Sequence, residues 1–148
     1  MIKPRTSGHP YIETIKTYYQ GCNTADIGLL KSTFTDDVVH YFVDHSAVRG
    51  AQALANYWAK VQPKTQANWQ LDHALVQDDE VVIEWSMQWQ PPADVAPQVL
   101  RGSEWYIFRA GKIAEIRSYH NNFYLQDPAN RALHDFDYVG RGYRVEVP

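Results

Sequence analysis

The sequence predicts an α+β fold: a curved antiparallel sheet wrapped on three N-terminal helices, cone-shaped with an internal pocket. Three observations predict it. Helical spacing of apolar residues is confined to segments before residue 62. Period-two alternation dominates from Trp69 to the 120s. The third observation is the polar content of the last strands. Glu104 sits among aromatic and small residues, and His120 closes a strand whose same-face neighbours are Ile116, Ser118 and Asn122. A core-facing strand rarely carries a titratable side chain unless a partner or a cavity receives it.

The elements follow in order. Tyr11 to Cys22 carries apolar residues at Tyr11, Ile12, Ile15, Tyr18, Tyr19 and Cys22, close to helical period, and Gly21 and Asn23 end it. Asp26 to Phe34 reads as a second short helix, with Thr24 as its N-cap. Val38 to Val43 is a β-branched and aromatic strand. Gly50 to Val61 is a third helix, with Ala53, Leu54, Tyr57, Trp58 and Val61 along one side and Pro63 as its stop. Trp69 to Gln77 is a strand, Asp78-Asp79 turns it, and Val81 to Trp89 is the next. Pro91 to Pro97 is a loop. Val99 to Phe123 then holds two alternating runs about the turn Ala110-Gly111-Lys112, a hairpin signature. Asp127-Pro128 opens a short helix through about His134, and the tail from Asp137 is expected to wrap the body or a partner.

Composition narrows the class. A chain of 148 residues fits one domain over 1–148, its core at about 11–122 and an extension over 123–148. Such a chain can bury roughly 70% of its unfolded surface. Net charge is −3 and no basic patch is visible, so nucleic acid is not an expected partner. No apolar run approaches the roughly 20 residues that span a bilayer, so no membrane is expected. Met1 to Pro10 has no apolar export region, and a cytoplasmic location is the default expectation. Cys22 is the only cysteine, which excludes an internal disulfide and a cysteine metal cluster. Five Trp, ten Tyr and five Phe suit either a packed core or a deep apolar pocket for a flat ligand.

Three stretches carry a family resemblance: NTADIGLLKSTFTDDVVHYF at 23–42, VRGAQALANYW at 48–58 and WYIFRAGKIAEIRSYH at 105–120. In these the chain resembles the nuclear transport factor 2-like superfamily, in its SnoaL-like and ketosteroid-isomerase-like branch. The resemblance covers roughly residues 11–122. It implies the cone fold and a common dimer through the outer sheet face. It leaves activity open, because the fold hosts isomerases, dehydratases, cyclases, epoxide hydrolases and non-enzymes. Ketosteroid isomerases place an oxyanion-hole tyrosine late in the first helix, before an Asn-x-x-Asp turn, and Tyr18 matches. Their protonated acid on the strand before the final hairpin corresponds to Glu104. Their general base, at the end of the first strand, corresponds to Phe42, so that base is missing. The inward aspartate of SnoaL-like cyclases and limonene-epoxide-hydrolase-like enzymes corresponds to Ser118, with His120 the next inward residue.

Each candidate has a plain alternative. His120 is either a proton carrier, with an ordinary pKa of about 6.5, or a satisfied core histidine. Gly102, Glu104, Tyr106 and Phe108 share one strand face, and the resemblance turns that face inward. His40, Phe42 and Asp44 share a face of the first strand, and His40 or Asp44 serves the pocket or the packing. Tyr57 and Trp58 cap the cavity or simply pack. Trp85, Met87 and Trp89 line the core or the pocket. No compact ligand motif and no phosphate loop is present, so neither metal nor cofactor is expected.

These readings combine into a cofactor-independent acid/base enzyme, a lyase, dehydratase, isomerase or cyclase, for an apolar aromatic or polycyclic small molecule. Retro-aldol release of a small aldehyde fits the same chemistry. His120 or His40 is the expected acid/base, with Tyr18 and Glu104 as donors to a developing oxyanion and Asp44 as orienter or second base. Phe42, Tyr57, Trp58, Trp85, Met87, Trp89, Tyr106, Phe108, Ser118 and Asn122 are the expected substrate contacts. A homodimer is expected through Glu84, Ser86, Gln88, Glu115 and Arg117. The alternative is a non-catalytic binding module or accessory subunit, as in the small subunits of ring-hydroxylating dioxygenases.

Overall fold

The computed structural model describes residues 8–91, 95–120 and 132–145. Its elements are α1 (Pro10–Thr24), α2 (Ile27–Thr33), β1 (Phe34–Tyr41), β2 (Val48–Arg49), α3 (Ala51–Thr65), β3 (Asn68–Gln77), β4 (Glu80–Trp89), β5 (Gln98–Arg109) and β6 (Lys112–His120). Three helices therefore pack on one six-stranded sheet, in the order β2-β1-β6-β5-β4-β3.

Local chemistry sets most boundaries. Pro10 opens α1, where its missing N–H has no helical partner to lose, and His9 caps the Tyr11 N–H at 3.1 Å. Asp26, not Thr24, caps α2, accepting from the Leu29 N–H at 3.0 Å. Thr24 is still helical, and its hydroxyl bonds the Gln20 carbonyl at 2.7 Å. Pro63 does not stop α3. It lies in the last turn, where the missing N–H forfeits a single bond, and the helix closes at Gln66 in the left-handed region. Ala110 and Gly111, with φ of 51° and 77°, form the two-residue turn between β5 and β6.

The sheet is mixed. β3, β4, β5 and β6 form an antiparallel meander, and β1 and β2 are antiparallel, but β1 runs parallel to β6. Alternation within a strand carries no signal of its neighbour's direction. Helix α3 crosses from the β1 edge to the β3 edge, and the three reversals of the meander bring β6 back alongside β1. Register shifts at Leu71/His73, Ile107/Phe108 and Phe34/Val39 mark irregularities that bend such a sheet.

One face of the sheet is apolar. Val81, Ile83, Trp85, Met87 and Trp89 of β4 are all buried, as are Tyr106 and Phe108 of β5. Ile12, Ile15, Tyr18 and Tyr19 of α1, with Leu54 and Trp58 of α3, close over them. Each such side chain contributes roughly 1.5–3 kcal/mol of burial free energy.

The outer face carries a second, smaller core. Leu133 and Phe136 pack on Tyr41 and Val43. Arg117 lies between the rings of Trp105 and Phe136, and donates to the Tyr143 hydroxyl at 2.9 Å. Arg141 holds Glu115 through bonds of 3.0 and 2.6 Å. Glu115 and Arg117 are thus used within the chain, rather than presented to a second copy. The helix expected from Asp127 falls largely outside the described residues, and Ala132–His134 are not helical.

Phe136 anchors this strap. Phe136→Ala should lower stability by about 3 kcal/mol. In a chain of this size that is a melting point lower by roughly 6–12 °C. Calorimetry finding no change would show that the strap does not add to global stability.

Candidate functional site

The inner face of the sheet presents its side chains in rows, because paired residues of neighbouring strands point the same way. One row is Val81, Tyr106, Ile116 and His40. The next is Ile83, Glu104 and Ser118, and the third is Trp85, Gly102 and His120. A cavity of about 110 Å³ opens over the second and third rows, roofed by α1 and α3. Gly102 is required there. A Cβ at that position would lie 2.6 Å from Cε2 of Trp85 and 2.7 Å from the Tyr119 carbonyl oxygen. The bare backbone lets the Trp85 ring lean across β5 toward His120, with ring centres 6.0 Å apart.

Glu104 is the centre of the floor, 4% exposed. Its Oε1 accepts from the Tyr19 hydroxyl and, at 2.9 Å, from the Tyr106 hydroxyl. Its Oε2 lies 3.5 Å from His40 Nε2, at the outer limit of a hydrogen bond. His40 is oriented by its Nδ1, 3.2 Å from the Tyr41 carbonyl, and by stacking on Phe42 at 3.9 Å. Burial raises the pKa of both Tyr19 and Tyr106 well above the phenol range, and the nearby carboxyl raises it further. Both remain donors.

At the cavity wall, burial lowers the pKa of His120, while Asp44 and Glu104 pull it back up and His40 and His45 lower it. Its Nδ1 is buried and has no hydrogen-bond partner among the described residues. Beyond it, His45 Nδ1 is 2.8 Å from the Ser46 carbonyl and His45 Nε2 is 2.8 Å from the Tyr57 hydroxyl. Asp44 Oδ1 stands 3.8 Å from His45 Nε2. Among the described residues no three His, Cys, Asp or Glu side chains are grouped to hold a metal ion.

Of the expected residues, Tyr18, Phe42, Asp44, Tyr57, Trp58, Trp85, Met87, Trp89, Glu104, Ser118 and His120 all line this cavity. Three described residues do not appear there. His40 and Tyr106 lie behind Glu104 and bond or face it from the protein side. Phe108 is at the far end of the strand, stacked on Tyr11 at 4.1 Å. Alternation gives a residue's face, not its depth in the cone. Asn122 lies outside the described residues. Tyr18 reaches the cavity, but its hydroxyl bonds Cys22, and burial raises its pKa well above the usual value. The phenol on Glu104 is its neighbour Tyr19.

Tyr19, His45, Val61, Thr65, Ala67, Trp69 and Leu100 also line the cavity and were not foreseen. Tyr18 and Tyr19 are both buried on α1, so periodicity does not choose between them. The first strand ends at Tyr41, two residues before the expected Val43, so strand alternation does not separate Asp44 from His45, and both side chains reach the cavity.

A cavity over a bent sheet, with polar groups at its floor and rings around it, matches a known family. Residues 15–116 fit the model of the SnoaL-like domain. The chain belongs to the SnoaL-like domain family. A protein of unknown function with a cystatin-like fold from Methylobium petroleophilum PM1 is 35% identical, over 98% of this chain and 97% of that one, with a TM-score of 0.81. TerC, crystallised with polyporic acid, is 18% identical over 76% of this chain and 92% of its own, with a TM-score of 0.66. An epoxide hydrolase of M. tuberculosis, similar to limonene epoxide hydrolase, is 15% identical over 76% and 83%, also at 0.66. The last two share the fold. No curated protein matches this SnoaL-like chain significantly. No helix among the described residues is long and apolar enough to cross a membrane.

The lowered pKa of His120 links the cavity to stability. The unfolded chain binds its proton near pH 6.5, and the folded chain binds it only at lower pH. The folded state therefore carries this contribution in full above pH 6.5 and loses it as pH falls through the folded pKa. Urea titrations between pH 7.5 and 5 should find stability falling less in His120→Asn than in the parent. Parallel curves would show that burial does not perturb this histidine.

Proposed function

We propose that the protein is a cofactor-independent acid/base enzyme acting on an apolar aromatic or polycyclic small molecule, with His120 as the proton carrier. One observation carries the reading. Burial favours the neutral form of His120, its Nδ1 has no hydrogen-bond partner among the described residues, and two carboxyl groups favour its charged form. A neutral imidazole can take a proton from a carbon or hydroxyl group of a bound molecule. The imidazolium so formed is then favoured by Asp44 and Glu104, which raise its pKa. Removal and return of one proton at two positions is an isomerisation. Return to a leaving oxygen gives a dehydration, and carbon–carbon cleavage in the same frame is a retro-aldol release.

Glu104 takes a different part from the oxyanion donor that the resemblance implies. Its Oε1 already accepts two phenol bonds, and its Oε2 faces His40. The tyrosines hold it in place beside His120, whose charged form it favours. Solved structures with this fold include an epoxide hydrolase and a protein crystallised with polyporic acid, and a small-molecule substrate is in keeping with them.

The test follows hydrogen exchange at the carbon next to a ketone, in deuterium oxide, across tetralones and steroid ketones. The expected result is catalysed exchange, lost on the acid side below pH 6.5 and slowed roughly 10²–10⁴-fold in His120→Ala. Ketone binding without exchange in any member would favour a non-catalytic binding module.

We further propose a homodimer through the part of the outer face that the strap leaves open. Leu75, Val82 and Trp105 form a paired row there, beside the row His73, Glu84, Ser103 and Tyr119. Leu75, Trp105 and Tyr119 are exposed. Light scattering should give a mass near twice 17.1 kDa, and Trp105→Glu should halve it. A parent protein at 17.1 kDa would remove the proposal.

A further inference from the structure

Two groups in the cavity have no part in the proton chemistry. The indole N–H of Trp58, on α3, and that of Trp85, on β4, are buried without a hydrogen-bond partner among the described residues. Both tryptophans line the cavity, and they are 8% and 3% exposed. Burial without a partner is costly for an N–H, and native structures keep few such groups. Packing does not account for this choice. A phenylalanine would fill much of the same space without a polar atom. Trp58 makes edge contacts with Tyr57 at 4.8 Å and Trp69 at 5.2 Å, which need only a ring. Trp85 is given its place by Gly102, whose missing side chain admits the Cε2 edge that carries the nitrogen.

We propose that Trp58 and Trp85 determine specificity by donating to oxygen acceptors on the bound ring. This rests on the cavity being the substrate site, as proposed above, and narrows the substrate class. An indole nitrogen only donates, so the matching groups are carbonyl, enolate or phenolate oxygens, not amines. The two donors come from a helix and a strand on separate elements of the wall. The fitting ligand is therefore a flat ring with oxygens at two of its edges. A plain hydrocarbon would gain the ring contacts and leave both donors unsatisfied. A site built for such bonds rejects a ligand that lacks them.

The experiment is read without catalysis. Five tryptophans give five indole signals in a ¹⁵N–¹H correlation spectrum. Trp58→Phe and Trp85→Phe assign two of them. The probes are 2-hydroxy-1,4-naphthoquinone and naphthalene, which share a bicyclic frame. The quinone should move both assigned signals downfield, and naphthalene should not. Each Phe variant should weaken quinone binding about threefold to tenfold more than it weakens naphthalene binding, the effect of one neutral hydrogen bond beyond the lost ring contact. Spectra of the unliganded variants establish that they are folded, and the parent spectrum alone carries the shift. Quinone binding that broadens cavity signals but leaves both indoles unmoved would overturn the indole assignment and leave the site reading intact. No response of any cavity residue to either probe would overturn both.

Discussion

The carboxyl group of Glu104 is the constraint on which the rest of the molecule depends. A carboxyl at 4% exposure is tolerable only if other polar groups replace water around it. Two elements supply hydrogen bonds, Tyr19 from α1 and Tyr106 from β5 itself, and His40 of β1 faces the second oxygen at 3.5 Å. These contacts are directional, unlike the apolar packing around them. They fix how far α1 slides over the sheet and how closely β1 approaches the meander. Removing one member would leave the others buried and short of a partner, so the group has to be kept whole.

The cavity follows from what that cluster prevents. An all-apolar floor would let the helices settle onto the sheet. Here the polar floor takes up α1 through Tyr19, while α3 is propped by rings, Trp58 against Phe42, Tyr57 and Trp69. The space between is bounded on the sheet side by Trp85, Met87 and Trp89. Gly102 removes the one side chain that would obstruct Trp85. The strap on the outer face, residues 132–145, supports the first strand from the other side. Its Phe136 and Leu133 back the Tyr41–Val43 segment that carries the chain on to Asp44 and His45, and the His134 N–H bonds the Phe42 carbonyl at 2.8 Å.

Much of this was legible in the sequence, for definable reasons. The three helices, the four-strand meander and the Ala110-Gly111 turn follow from periodicity and turn chemistry, both local properties. The inward face of β5 and β6, with Glu104, Ser118 and His120, follows from alternation once the direction of the cavity is known. Three things were not legible. The parallel pairing of β1 with β6 depends on the path of α3, not on either strand. The depth of Tyr106 and Phe108 depends on where along the cone the helices make contact. The partner of Glu104 depends on a helix rotation smaller than the angle between adjacent residues, so Tyr18 was expected where Tyr19 stands.

That last difference changes the chemistry and not only the bookkeeping of contacts. With Tyr18 on a substrate oxygen, Glu104 would be free to act as a second donor. With Tyr19 and Tyr106 both on Oε1, that oxygen is already engaged as an acceptor within the protein. His120 lies one row away on the neighbouring strand, and Asp44 also favours its charged form. A histidine that burial keeps neutral and two carboxyl groups favour as a cation has opposing forces of similar kind acting on one proton. Small changes in the cavity, such as the arrival of a flat ring that excludes water, then shift the balance. The aromatic wall and the acidic floor are in this sense one device: the wall sets how dry the site becomes, and the floor sets what a proton gains by entering it.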